Sequence, residues 1–208
     1  MALRRALTVQ NVLDKKYKLF DFDGKWYEAF SNPERSGVWF IWGNSGNGKT
    51  TFVLELIKCL ANFDKIVFNS LEEGTSHTLY KSLVNLGMKE VNSKLLIVQD
   101  SPAELMERMR MRKSAGIVII DSFQYFQLSY KQYLKFKAGL PGKLIIFISH
   151  AEGNEPSGRA ARSVVFDATL KIWVEGYKAI SKGRYFGPTK EYVIWPEQAA
   201  IYWGNKKK

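Results

Sequence analysis

The chain of 208 residues contains one cysteine, and its lysines and arginines outnumber its acids by 31 to 20. A lone Cys59 excludes an internal disulfide framework and any cysteine-rich zinc site, which fits a reducing, cytoplasmic setting. No apolar stretch approaches a membrane span, since the longest runs are strand-sized, so no membrane partner is expected. The first ten residues, Met1 to Gln10, carry neither an apolar h-region nor a small-residue cleavage site, and no signal peptide is read. The shortage of acids leaves a formal net charge of +11. An excess of that size points to an anionic partner, nucleic acid first; the ordinary alternative is lysines that only solvate the surface, the Lys206-Lys207-Lys208 tail included. Internal repeats and low-complexity segments are also lacking.

What is present is led by residues 43–50, Gly-Asn-Ser-Gly-Asn-Gly-Lys-Thr. Two glycines, Gly43 and Gly48, with four residues between them and then Lys and Thr, make a phosphate-binding loop. Backbone N–H groups of the tight turn converge on a β-phosphate, and a side chain at Gly43 or Gly48 would block that approach. Lys49 reaches the β- and γ-oxygens and the Thr50 hydroxyl ligates Mg²⁺. Gly37–Trp42 is a short β-favouring run before the loop, and Thr51–Leu60 has helical apolar spacing after it. Strand, loop, helix is the confirming order, because the helix N-terminus then faces the phosphate. The nucleotide-binding residues read from this segment are Gly43, Asn44, Ser45, Gly46, Asn47, Gly48, Lys49, Thr50 and Thr51.

Residues 1–36 read as a lead-in segment. Tyr17–Phe22 and Lys25–Phe30 flank Asp23-Gly24, a strong two-residue signal for a β-hairpin. From residue 37 to 208 the chain reads as one α/β core. Strands at 65–70, 94–99, 116–121 and 143–149 alternate with helices at 76–86 and 102–112, the latter with Ser101 as its N-cap, which implies a parallel sheet covered on both faces. After residue 165 the pieces 168–175, 177–184, 191–195 and 200–203 read as strands without intervening helices, an antiparallel meander that extends the sheet.

Four apolar β-branched residues, Ile117 to Ile120, end in Asp121, where a buried strand delivers a carboxylate to hold Mg²⁺ with Thr50. Glu72 and Glu73 follow the strand at 65–70, and either could polarise an attacking water, with Glu72 preferred; otherwise both simply favour the N-terminus of the next helix. Ser149 and His150 end the last core strand, where a polar side chain could touch the γ-phosphate or the water. His77 reads as a surface helix residue. Lys182 and Arg184 close a late strand and, on the residues alone, read as a basic hairpin facing solvent.

In this order the pieces resemble the RecA-like core shared by bacterial recombinases, the RadA repair ATPases and DnaB-type replicative helicases, over roughly residues 37–203. The resemblance rests on Gly43–Thr50, Ser70-Leu-Glu-Glu73, Ile117–Ser122, Ile145–His150 and Lys182-Gly-Arg184-x-x-Gly187. It implies a three-layer P-loop fold, ATP and Mg²⁺ as cofactors, and an ATPase acting on DNA in recombination, repair or replication loading. Glu72 matches the position of the helicases' catalytic glutamate, while Lys49 and His150 complete the catalytic set with Glu73 as its alternate. Lys182 and Arg184 match cations supplied in trans, which implies a homo-oligomer, ring or filament, with its active site completed between subunits. The family's DNA-binding loops map to 124–143, where Lys131, Lys135 and Lys137 interleave with aromatics, and to 151–163, a flexible basic loop carrying Arg159 and Arg162; single-stranded DNA is the implied partner, although much of 124–143 also reads as an amphipathic helix packing its aromatics inward.

Departures are plain. His150 stands where recombinases carry Gln, and neither a zinc module nor a partner-binding N-terminal domain is seen, so the compact core would suit a phage or mobile-element factor. Two other classes compete: a nucleotide-switched binding or adaptor module with little turnover, and a small-molecule P-loop kinase, for which no arginine-rich lid is found. A GTPase is disfavoured by the absence of an Asn-Lys-x-Asp motif.

Overall fold

The computed structural model describes residues 5–206, with the side chain of Lys206 excepted, so the first four residues of the N-terminus and Lys207 and Lys208 of the basic tail lie outside it. In chain order the elements are α1 (Val9–Leu13), α2 (Gly24–Phe30), β1 (Gly37–Gly43), α3 (Lys49–Ala61), β2 (Ile66–Ser70) and α4 (His77–Asn85). A 3-10 turn at Met88–Val91 leads to β3 (Leu95–Val98), α5 (Pro102–Arg110), β4 (Ile117–Asp121), α6 (Phe123–Phe126) and α7 (Tyr130–Ala138). Then come β5 (Leu144–Glu152), β6 (Glu155–Pro156), α8 (Arg159–Asp167), β7 (Leu170–Glu175), β8 (Lys178–Ser181), β9 (Glu191–Val193) and α9 (Pro196–Lys206).

The strands form one sheet in the order β3-β2-β4-β5-β1-β7-β8-β9, with β6 paired to β5 off that path. It is parallel from β3 through β7 and antiparallel from β7 to β9. The expected α/β architecture, a mostly parallel sheet continued by a C-terminal meander, is therefore the one observed. Along β1 the side chains alternate as a buried strand requires. Trp39 and Ile41 join the apolar layer containing α3, while Val38, Phe40 and Trp42 join the layer formed with α5 and α7. Each large side chain buried in these layers contributes roughly 1.5–3 kcal/mol relative to exposure. Ser76, Ser101 and Ser129 cap α4, α5 and α7 through their hydroxyls. Among the described residues no helix is long and apolar enough to cross a membrane.

Three local expectations are corrected. The Asp23-Gly24 hairpin is absent. Asp23 instead stands at the N-cap of α2, whose residues Trp26, Ala29 and Phe30 fall at helical spacing and pack inward. Trp26 stacks on Tyr192 at a centroid distance of 4.3 Å. The preceding arm is not a hairpin strand; it makes an isolated antiparallel bridge, Leu19 with Glu34, in which Phe20 N–H donates to Pro33 O (2.8 Å) and Arg35 N–H to Lys18 O (2.8 Å). Burial of one helical face outweighed a turn signal that a helix cap satisfies equally well.

The loop expected at 151–163 holds the β5–β6 turn and the start of α8, because Ala161 and Val164 pack into the core. Residues 200–203 are helical within α9; Tyr202 donates to Glu175 Oε1 (2.6 Å) and the Trp203 indole to Gly176 O (3.1 Å). Both polar tips find partners on the β7–β8 turn, which fixes the helix there.

The stretch after β8 lies across the end of α2. A Cβ at Gly187 would sit 2.0 Å from Tyr27 O and 2.3 Å from Glu28 O, so only glycine permits this approach. Gly187→Ala should lower stability by about 1–3 kcal/mol, seen as a reduced denaturant midpoint with an unchanged slope. An unaltered midpoint would mean that this crossing is looser than described.

Candidate functional site

Strand β1 delivers the phosphate loop at the carboxyl edge of the sheet, where open parallel sheets place their ligands. At Gly43 a Cβ would lie 2.2 Å from Val174 O. Glycine is thus required there by the closeness of β7, a reason that the motif alone did not announce. Gly46 (φ 75°) and Gly48 (φ 90°) hold left-handed conformations that favour glycine. Gly48 is the N-cap of α3, and no side chain caps that helix. Its leading N–H groups are left for a ligand, at the positive end of the helix dipole.

The loop is tethered on two sides. Gly176 N–H donates to Asn47 Oδ1 (2.7 Å), joining it to the β7–β8 turn, and Asn44 Nδ2 donates to Gly153 O (3.3 Å) in the β5–β6 turn. Lys49 Nζ donates to Asn44 O at 3.0 Å. Burial lowers the Lys49 pKa, against the opposing pull of Asp121 and Glu72. Thr50 and Thr51 follow on the first turn of α3, half-buried and facing the same cleft.

Asp121 ends β4 with Ser70 and Ile148 as its register partners on β2 and β5. Burial first, then the nearby Glu72 and Glu73, push its carboxyl up to about 7, with Lys49 opposing. The Asp121–Ser122 peptide bond is cis. The N–H groups of Leu71 and Glu72 both donate to Asp121 O, at 2.7 and 3.1 Å, which locks the Glu72 segment onto the end of β4. The two glutamates then diverge. Glu73 accepts from the Thr78 hydroxyl (3.0 Å) at the start of α4, the bland role weighed for it, whereas Glu72 Oε2 lies 3.1 Å from His150 Nε2. Behind His150 stands Gln124, which the sequence reading missed. Gln124 Oε1 accepts from the His150 N–H (3.3 Å), and its Nε2 donates to Ser149 Oγ (2.8 Å) and Ser157 O (2.9 Å).

Ser45, Gly46, Gly48, Lys49, Thr50, Thr51, Glu72, Glu73, Asp121 and His150 line one cleft of about 720 Å³, together with Tyr177, Ile194 and Trp195 from the meander, whereas Gly43, Asn44, Asn47 and Gln124 are not among its lining residues. The Tyr177 and Trp195 rings meet edge to face at 5.7 Å, and a Cβ at Gly48 would lie 3.4 Å from Ile194. No local pattern announced these three, because pairing of β7 with β1 brings them to the loop. The chemistry of the donors fits a magnesium nucleotide. Among the described residues no group of three or more His, Cys, Asp or Glu side chains could hold a metal alone. A Mg²⁺ here would use the Thr50 hydroxyl, the Asp121 carboxylate and ligand oxygens, as that ion commonly does.

The remaining sequence-derived residues lie elsewhere. Lys182 and Arg184 are exposed and not among the described residues lining the cleft; the Lys182 ammonium sits 4.9 Å from the centre of the Trp173 ring. Lys131 and Lys135 are exposed on α7, and Arg159 is exposed at the start of α8. Lys137 is paired with Asp167 (2.7 Å) and Arg162 with Glu152 (2.9 Å).

No protein-family model and no curated protein matches the sequence. Solved structures do match. A KaiC-like protein of the archaeon Pyrococcus horikoshii superposes with a TM-score of 0.61 at 20% identity, over 80% of this chain and 94% of its own. The flagellar accessory protein FlaH of Methanocaldococcus jannaschii gives 0.59 at 15%, over 84% and 90%. An unusual ATP synthase subunit, NeqB of Nanoarchaeum equitans, gives 0.54 at 10%, over 84% of this chain and 55% of that one. The chain has a RecA-like P-loop fold. At these identities the likeness is one of fold. In this RecA-like sheet the phosphate loop, Asp121, Glu72 and His150 stand on four adjoining segments at the ends of β1, β4, β2 and β5.

The Asp121 carboxyl gives a test. Folded Asp121 keeps its proton to about pH 7, whereas an unfolded aspartate releases it near pH 3.9. Its contribution to stability is therefore full at low pH and declines as the pH climbs from about 4 to about 7. In chelator and without nucleotide, Asp121→Asn should melt above the parent at pH 8, by on the order of 2 kcal/mol or about 5 °C. The gap should close towards pH 4. A pH-independent difference would show that Asp121 is not desolvated.

Proposed function

We propose that this chain is a Mg²⁺-dependent ATPase that acts on single-stranded DNA in recombination, repair or replication loading, with its active site completed between copies of itself. The observation that carries the reading is the meeting of an uncapped helix N-terminus, Lys49, Asp121 and Glu72 in one cleft. A magnesium ion bound with the nucleotide would neutralise phosphate charge. The N–H groups at the start of α3 hold the β-phosphate, and Lys49 leaves Asn44 O to follow the charge that grows on the γ-phosphoryl oxygens. Glu72 orients a water and takes its proton as the oxygen attacks phosphorus. The bond from the γ-phosphorus to the bridging oxygen then breaks to release ADP and phosphate. His150 positions the Glu72 carboxylate, and Tyr177 and Trp195 provide aromatic surface for the base.

Lys182 and Arg184, lying outside the cleft of their own chain, suit a role against a neighbour's nucleotide. In this reading Lys131, Lys135, Lys137, Arg159 and Arg162 meet the strand. The runner-up is a nucleotide-switched binding module, favoured by one specific contact: Glu72 is already engaged by His150.

ATP turnover measured across a protein concentration series, with and without single-stranded DNA, tests the proposal. Specific activity should rise with concentration and with DNA. Lys49→Ala should abolish the calorimetric heat of ATP uptake. Glu72→Gln should retain that heat and lose about 10²–10⁴ in turnover. Joint loss of Lys182 and Arg184 should cost about 10³. A parent protein that binds ATP without turnover supports the switch, and one that takes up no ATP ends both readings.

A further inference from the structure

A second concavity, of about 380 Å³, lies beside the phosphate loop on the α8 side of the sheet, lined by Trp42, Trp173, Phe166, Lys171, Lys182 and Arg162 along with Glu155. Phe166 is 81% exposed, an unusual state for a phenylalanine at the end of a helix that packs its opposite face. Cations lie over the rings: Lys182 Nζ is 4.9 Å from the centre of Trp173 and Lys171 Nζ is 6.0 Å from that of Phe166. Flat apolar faces interleaved with ammonium groups match a chain of bases and phosphates, since aromatics stack on any base while lysines meet the backbone.

In the region that the sequence reading gave to the strand, Tyr125 and Tyr130 are exposed, but the other rings are taken up within the fold. On α7 the rings of Tyr133 and Phe136 are buried, Tyr133 donates its hydroxyl to Asp167, and Lys137 is spent on the same carboxylate. The groove also touches the loop. Trp42 directly precedes Gly43, and its indole donates to Asn154 O (2.9 Å), next to the Gly153 carbonyl that accepts from Asn44.

We infer that this groove between β7, α8 and the β5–β6 turn is a single-stranded nucleic-acid site, with Phe166 and Trp173 stacking bases and Lys171 meeting phosphates. The inference rests on the DNA part of the proposed function and moves the strand from α7 to the neighbouring groove beside α8, with Arg162 common to both. The +11 charge of the chain and the excess of cations over acids in the groove favour this occupant.

The test uses the full chain, without ATP, and a fluorescein-labelled oligodeoxythymidine of about 20 nucleotides, long enough to fill such a site. Anisotropy titrations at several salt concentrations give affinity and salt slope together. Phe166→Ala should weaken binding about 5- to 150-fold with the slope unchanged. Lys171→Gln should reduce the slope by about 0.7. Parent-like affinity and slope in both variants would overturn the site, and loss confined to Lys131→Gln and Lys135→Gln would return the strand to α7. A Phe166→Ala variant that alters only the oligomer seen by light scattering would make the groove a contact between copies, which also overturns it. Turnover without DNA, measured on the same samples, separates the two proposals. A parent that turns over ATP without binding the strand removes the groove together with the DNA part of the proposed function, strand binding left unchanged by both groove variants removes the groove alone, and binding without activity removes the ATPase alone.

Discussion

Three groups that their own surroundings disfavour share one cleft: the uncapped amino end of α3, the desolvated ammonium of Lys49 and the desolvated carboxyl of Asp121. Each is costly in isolation. Helix N–H groups lack acceptors, burial pushes Lys49 towards its neutral form, and burial beside two glutamates pushes Asp121 the same way. A polyanion carrying a divalent cation would relieve all three together, which is why the site reads as one for a magnesium nucleotide. The rest of the sheet serves to hold these groups at that distance from one another.

The phosphate loop has neighbours of its own choosing on both flanks. Asn47 ties it to the β7–β8 turn and Asn44 to the β5–β6 turn. The first turn carries Tyr177, which lines the cleft, and the second borders the aromatic and basic groove around Trp173. Gly43, squeezed against Val174 O, makes this arrangement possible, because any side chain there would force β7 away from β1. Along the chain, the Asn44–Gly153 tether thus stands between Ser45 of the cleft and Trp42 and Asn154 of the groove. On the opposite flank, Gln124 ties the segment after β4 to Ser149, His150 and Ser157, so the Glu72–His150 pair is held from behind by a residue outside the cleft.

The residues that a reading of the chain found were those whose chemistry is local. A glycine pattern followed by Lys49-Thr50 determines a loop and a helix start within eight residues. A β-branched run ending in Asp121 likewise announces a buried strand and a carboxylate at its edge, and the alternation of strands and helices announced a parallel sheet with covered faces. Local signals also misled where two structures satisfy them. Asp23-Gly24 suits a hairpin and a helix start alike, and packing of Trp26 on Tyr192, more than 160 residues on, chose the helix. Tyr177, Ile194, Trp195 and Gln124 carried no local mark.

By itself, then, the sequence determined the phosphate loop, the carboxylates after β2 and β4, and the layered α/β class, because each depends on backbone conformations and periodicities spanning a few residues. Tertiary structure alone decided which glutamate faces His150, which lysines remain unpaired, and which aromatics stand beside the loop. Those choices depend on strand order and register, which bring together segments more than a hundred residues apart, and nothing in a local window encodes a distance of that kind.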